Sequence, residues 1–313
     1  MRAVLVAGLI PLLLAATAAG GGNDEPIAVL VKAEGEVQVA PEGGELHAGR
    51  VGDHLGAGYR VVPGADSRAV IVYRTGASQV VTEEATVRGD PAEEASGGGG
   101  EDMFSRTVGV LSRAADTDAR NQPNRQGMIR PIPGQAVPIA PRNELPVSDA
   151  RPTLTWFSVD GSEGYRIHLW DESGEMAAFE TGADTVWTLP EDEAPLTPGA
   201  NYEWTAAPLE SGRLAERHAF RVAEEGTVAD VRTDLERLEE LGLDPETDGL
   251  FLAALIYRDH GLYYDAHRAL SRLDESGDEM NQDALLLLGE ILDVLGRLDD
   301  ASEAFDRADG VAP

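Results

Sequence analysis

Apolar and polar positions follow a strand-like period over most of this chain of 313 residues and change to a helical one near its end. Between residues 27 and 90 the apolar positions form short runs or alternate: Ile27 to Val31, Val37 and Val39, Val61-Val62, Ala69-Val70-Ile71-Val72-Tyr73, and Val80-Val81. Runs this short, punctuated by glycine, predict the strands of a β meander or small sandwich. Arg74-Thr75-Gly76-Ala77 has hairpin chemistry, because Gly76 can take a positive φ. Alternation returns over 145–223, in Leu154/Trp156, Tyr165/Ile167/Leu169 and Tyr202/Trp204/Ala206. Turn clusters at Asp160-Gly161, Glu172-Ser173-Gly174 and Pro198-Gly199-Ala200-Asn201 separate these runs, the strand spacing of an all-β sandwich.

From residue 227 the period becomes helical, with apolar residues at 228, 231, 235 and 238. Two longer units follow. Ala254, Tyr257, Gly261, Ala266, Leu270 and Leu273 recur 35 residues later as Gly289, Leu292, Gly296, Ala301, Phe305 and Ala308. Small residues at 254, 289, 266 and 301 let helices approach closely, and Gly261 and Gly296 end the first helix of each pair. The fold class predicted is multidomain: two all-β domains followed by an all-α helical-repeat domain. Its parts are a first β domain at 25–90, a linker at 91–144, a β sandwich at 145–223 and helical repeats at 227–313. The linker holds the polar stretch PAEEASGGGGED, a short helix from Met103 to Ala115 and a Pro-rich connector expected to be extended or irregular.

The first 22 residues read as a signal peptide. Arg2 is a basic start, Ala3 to Leu14 an apolar run, and Ala16-Thr17-Ala18 the small residues a signal peptidase needs. The mature chain is expected to begin between Ala19 and Asn23 and to be secreted, into the periplasm. The apolar stretches at 250–257 and 284–288 are short and flanked by charges, so they read as core helices rather than spans.

Composition narrows the function. The chain carries 56 Asp and Glu against 25 Lys and Arg, a net charge of −31, which repels phosphate backbones and argues against nucleic acid as a partner. Lys32 is the one lysine. With no cysteine, disulfides, thiol catalysis and thiolate metal sites are excluded. No nucleophile elbow or phosphate loop is present, and the six histidines lack zinc spacing; His260 and His267, seven apart, have no third ligand. The chain is expected to be no enzyme and to need no cofactor. All four tryptophans (156, 170, 187 and 204) fall in the second β region. Alternating aromatics fill sandwich cores, and the competing reading is a glycan platform, with Trp170 and Trp187 its best members. Residues 103–143 hold six arginines against Asp116 and Asp118. This basic stretch is a solvated linker, or pairs with the acidic helical domain or an anionic envelope polymer.

Gly35-Glu36-Val37-Gln38-Val39, then VGDHLGAGYRVV at 51–62, then GADSRAVIVYRTGASQVV at 64–81 resemble the periplasmic FecR-like domain. Val51, Gly52, Asp53, Leu55, Gly58, Ser67, Ala69 and Gly76 fall on its pattern. The words PTLTW, YRIHL and LTPGANYEW resemble fibronectin type III-like modules of bacterial envelope proteins, at Pro152, Trp156, Tyr165, Leu196, Pro198, Gly199, Tyr202 and Trp204. The 35-residue offset resembles the tetratricopeptide repeat, whose period is about 34 residues. These resemblances imply an exported cell-envelope scaffold or adaptor that binds protein partners through its FecR-like and helical-repeat modules. A glycan- or peptidoglycan-binding module, and a sensor in a FecR-type regulatory pathway, are the alternatives. The partner-contacting residues expected are Asp53, His54 and Arg60 on the turns of the first domain, and exposed Tyr263 and Tyr264 on the helical one, the alternative being that one of the two tyrosines packs on the preceding helix.

Overall fold

A computed structural model of the chain describes residues 26–74, 77–88, 130–240 and 242–310. The expected signal peptide, the expected hairpin tip at 75–76, the glycine run, the helix expected at 103–115 and most of the arginines of the basic connector lie outside the described residues.

The first β unit is two four-stranded sheets. One sheet has the order β4-β1-β6-β7, from β1 (Ala28–Glu34), β4 (His54–Leu55), β6 (Arg68–Tyr73) and β7 (Ser78–Val81). The other has the order β3-β2-β5-β8, from β2 (Val37–Ala40), β3 (His47–Ala48), β5 (Arg60–Pro63) and β8 (Ala85–Thr86). All pairings are antiparallel, and β1 carries a bulge between Leu30 and Lys32. Ala28, Leu30, Ala69, Ile71 and Tyr73 join Val37, Val39 and Val61 in a core between the sheets. The opposite face of β1 and β6 is also buried: Val29, Val31, Val70 and Val72 belong to the core of the helical region. Strands covered on both faces need near-continuous apolar runs, and AVLV and AVIVY are such runs.

The second β unit pairs a five-stranded sheet, β10-β16-β15-β12-β13, with a three-stranded one, β14-β11-β9. Its strands are β9 (Pro138–Ala140), β10 (Pro146–Val147), β11 (Thr153–Trp156), β12 (Tyr165–Asp171), β13 (Gly174–Thr181), β14 (Val186–Thr188), β15 (Asn201–Pro208) and β16 (His218–Val222). β10 and β16 run parallel and the remaining neighbours antiparallel. The sandwich therefore takes in residues 138–140, which the sequence pattern placed in the connector. β9 is an edge strand, where Pro138 removes no ladder bond that the sheet needs. Trp156 and Trp204 fill the core, edge to face at 6.3 Å, and the Trp204 indole donates to the Pro141 carbonyl at 2.7 Å.

The C-terminal region is five helices: α1 (Glu225–Glu240), α2 (Leu250–Asp259), α3 (Tyr263–Glu275), α4 (Gln282–Val294) and α5 (Leu298–Gly310). α2/α3 and α4/α5 are pairs joined by short turns in which Gly261 and Gly296 both take positive φ, 74° and 77°. Ala254, Ala266 and Ala301 are buried where helices meet, and Gly289 lies so close to the Phe305 ring that a Cβ there would stand 2.3 Å from it. Leu292 is buried as the repeat pattern expects; Tyr257 is only half-buried. Overpacking one of these contacts is a direct probe. Ala301, 2% exposed, replaced by leucine should lose about 1–3 kcal/mol. A thermal melt indistinguishable from the parent would show that the close α4/α5 contact is misplaced.

Candidate functional site

Two seams hold the three parts together, and the residues expected to face partners lie mostly within them. At the first, the Val51-Gly52-Asp53 turn docks on the loop before α4. The Val51 amide donates to the Glu279 carbonyl at 2.7 Å, and the Asn281 amide donates to the Val51 carbonyl at 2.9 Å, one parallel bridge between the β unit and the helices. Asn281 also caps α4, its side-chain oxygen accepting from the Ala284 amide at 2.8 Å. Gly52 has φ +100°, and a Cβ there would stand 2.5 Å from that same oxygen. Glycine is thus required twice at this position, by backbone conformation and by the neighbour.

Asp53 accepts from the Arg50 amide at 2.8 Å, and burial pushes its carboxyl above the usual range. His54 is largely buried, which holds its imidazole below the ordinary value, with Asp283 nearby. Its Nε2 is buried without a hydrogen-bond partner among the described residues. Asp53 and His54 therefore do not form an exposed turn surface. The apolar face of β1 and β6 has to be covered, and the cover lies over this turn as well. Arg60 is half-buried at the far sheet, 3.7 Å from Glu84. Beside the first seam, Lys32 Nζ lies 3.1 Å from Asp248, and Arg68 grips the same carboxylate at 2.8 and 3.4 Å. The chain's one lysine is spent on this contact.

The second seam joins the sandwich to α3. Tyr264 is not exposed as the sequence suggested. Its hydroxyl accepts from the Arg142 amide at 2.7 Å and donates to the Arg142 carbonyl at 3.2 Å, and burial raises its pKa. Tyr263 is half-buried against the helical core. Asp265 accepts from the Ser148 amide at 3.2 Å and the Ser148 hydroxyl at 2.8 Å. The sequence marked the start of α3 as contact-prone, but the contact is made by the chain itself.

Where this seam opens to solvent it leaves a cleft of about 310 Å³. Ile139, Pro141, Val147 and Leu295 supply apolar wall, and Thr153 and Thr155 come from the outward side of β11. Its lining also includes Arg268, Arg297 and His267. Arg268 reaches Asp265 at 2.9 Å and is well exposed. Arg297 donates through Nε to Asp300 at 2.7 Å and through Nη1 to His267 Nε2 at 2.8 Å. The Ser271 hydroxyl lies 3.3 Å from that same nitrogen. Burial and the neighbouring guanidinium push the His267 pKa down to about 4, so the ring is neutral near pH 7 and Nε2 is the acceptor. No sequence motif announced this site, because its walls come from four separated segments.

The remaining candidates resolve into structure. Trp170 is buried under Arg217, whose guanidinium carbon is 3.9 Å from the ring centroid, and Trp187 packs on Phe179 at 4.7 Å. His260 bonds Asp234 at 3.1 Å and shares nothing with His267. Among the described residues, no three His, Cys, Asp or Glu side chains gather to hold a metal ion, and no helix is long and apolar enough to cross a membrane.

The first seam has a sharp test. Gly52→Ala forces both a strained φ and a clash with an anchored side chain, so it should cost about 1–3 kcal/mol. Gly43→Ala is the control: its φ is +70°, but nothing lies within 4 Å of its Cβ, so it should cost less. Equal losses in denaturant titrations would mean that the Asn281 contact contributes nothing.

No family model and no curated protein matches the sequence. Solved structures similar to the chain include a cell surface anchoring domain, at 21% identity and TM-score 0.20, covering 20% of this chain and 87% of that one. A two-domain fibronectin type III segment of chicken tenascin matches at 8% identity and TM-score 0.20, covering 63% and 93%. The FN1–FN3 domains of chicken CNTN1 match at 11% identity and TM-score 0.21, covering 64% and 62%. The sandwich assignment above rests on strand pairing within this chain.

Proposed function

We propose that the chain is an exported, non-enzymatic adaptor of the cell envelope that holds a protein partner in the cleft between its sandwich and α3. The observation that carries this reading is the cleft itself. It is concave and partly apolar, and it sits where two packed units meet, a preferred place for recognition sites. The first unit is FecR-like, and its motif residues have clear structural duties. Gly52 and Gly58 take positive φ, and the Ser67 hydroxyl accepts from the Glu36 amide at 2.9 Å beneath Gly35. The middle unit is fibronectin type III-like. The helix pairs are tetratricopeptide-like, supported by Gly261 and Gly296 and by the buried alanines at 266 and 301.

Relocating the partner surface changes the expected contacts. Asp53 and His54 are covered at the first seam and Tyr264 bonds Arg142 across the second, so partner contact moves to the cleft rim. The tryptophans lend no support to glycan binding, because Trp156, Trp170 and Trp204 are buried and Trp187 is half-covered. Site-specific photo-crosslinking in envelope extract tests the adaptor reading. A photoreactive residue at Thr153, exposed at the cleft, should give a discrete protein adduct, whereas one at exposed Glu45 on the first unit should not. No adduct at 153, or the same adducts from both positions, would refute it.

A further inference from the structure

We infer that His54 makes the first seam acid-sensitive: a proton taken up by its ring parts the first β unit from the helices while both stay folded.

His54 stands opposite Val29 in the register of β1 and β4. Residues directly opposite each other on antiparallel strands point to the same face. Val29 belongs to the core shared with the helices, so the imidazole is directed into the seam. Its neighbour Leu55 points the other way, into the core between the two sheets. The ring Nε2 is buried and has no hydrogen-bond partner among the described residues. A neutral ring leaves one polar atom unmet there. A second proton adds a charge that no hydrogen bond at Nε2 relieves, which costs far more in a buried place.

The groups around the ring do not offset that cost. Its own turn brings Asp53, which already accepts from the Arg50 amide at 2.8 Å, with Arg50 and His47 beyond it. On β1, Val29 is opposite, and Lys32 further along lies 3.1 Å from Asp248. From the helical side come Asn281, which caps α4, and Asp283 in the first turn of α4. Glu279, just before them, pairs with Arg50 at 3.6 Å. Burial holds the His54 ring below its ordinary value against the pull of Asp283 and Asp53. The N-terminus of α4, a helix of 13 residues, is its positive end and also opposes a cation.

Once the seam parts, the ring meets water and recovers the proton affinity of an ordinary histidine. The parted state then binds more protons than the closed one, so closure weakens as pH falls below about 6.5. Asp53, Asp278 and Asp283 act with the opposite sign. Burial raises all three, so they cost the closed seam most at neutral pH and less in acid. Replacing His54 alone separates its effect from theirs. Parting uncovers Val29, Val31, Val70 and Val72 together, an apolar face that is hidden while the seam is closed.

Amide hydrogen exchange of the intact chain reads the opening directly. The Val51 and Asn281 amides bond across the seam and exchange when it parts. The amides of β12, inside the five-stranded sheet, report on the sandwich instead. Protection, corrected for intrinsic exchange, is compared in the parent and in His54→Gln at about pH 7.5 and about pH 5.5, on either side of an ordinary histidine. The ratio of parent to variant protection at Val51 and Asn281 should fall about three- to tenfold between the two, tenfold being the limit one unit below that value. At β12 the ratio should not change. Asp283→Asn removes the carboxylate that most favours the charged ring, so it should steepen the parent's fall at the seam. His47→Gln, at an exposed position, should leave that fall unchanged. A seam ratio that is the same at both pH values, or one that falls equally at β12, would overturn the inference. If His54→Gln does not fold, Asp283→Asn decides: seam protection that follows pH as in the parent would overturn it as well.

Discussion

A β-sheet buried on both faces needs two covers, and only one of them belongs to the first β unit. Ala28, Leu30, Ile71 and Tyr73 point to the partner sheet, while Val29, Val31, Val70 and Val72 point away from it and are buried all the same. Each such valine gains roughly 1.5–3 kcal/mol on burial. Without the helices that gain would vanish and an apolar patch would face water. The helices that supply the cover begin at residue 225. The first and last parts of the chain therefore depend on each other across the sandwich that separates them in sequence.

The polar contacts at this seam set register rather than strength. Val51 and Asn281 exchange backbone bonds with the opposite unit, so the turn seats in one position. Asp248 gathers Lys32 and Arg68 around the rim of the apolar face. These pairs are partly buried, and any other register would leave their charges unpaired. The second seam, at Tyr264 and Asp265, fixes α3 against the sandwich in the same way. With both seams closed, the walls of the cleft come from rigid elements, as a selective site requires.

Much of this was legible in the chain. Strand periods located both β units, alternation marked Trp156 and Trp204 as core, and small residues on the helical pattern marked Ala266 and Ala301 as buried positions. The AVLV and AVIVY runs were read as strands, yet their lack of alternation also signalled a second cover. Asp53, His54 and Tyr264 carry no local sign of burial. Nothing local marks a turn that a distant loop will meet. The cleft was illegible for the same reason: residues 139, 153, 268 and 297 come together only after the units dock. Arg297 beside His267 has no signature in spacing.

The first β unit and the helices share one buried interface. A site-specific protease sequence in place of Gly97–Gly100 would allow the purified chain to be cut after folding. Gel filtration of the nicked protein, at low salt and at about 1 M where surface ion pairs are screened, is the most direct measurement. The two fragments should elute together as one particle in both conditions, because apolar burial rather than charge joins them. Separate elution of a folded first unit would contradict the account.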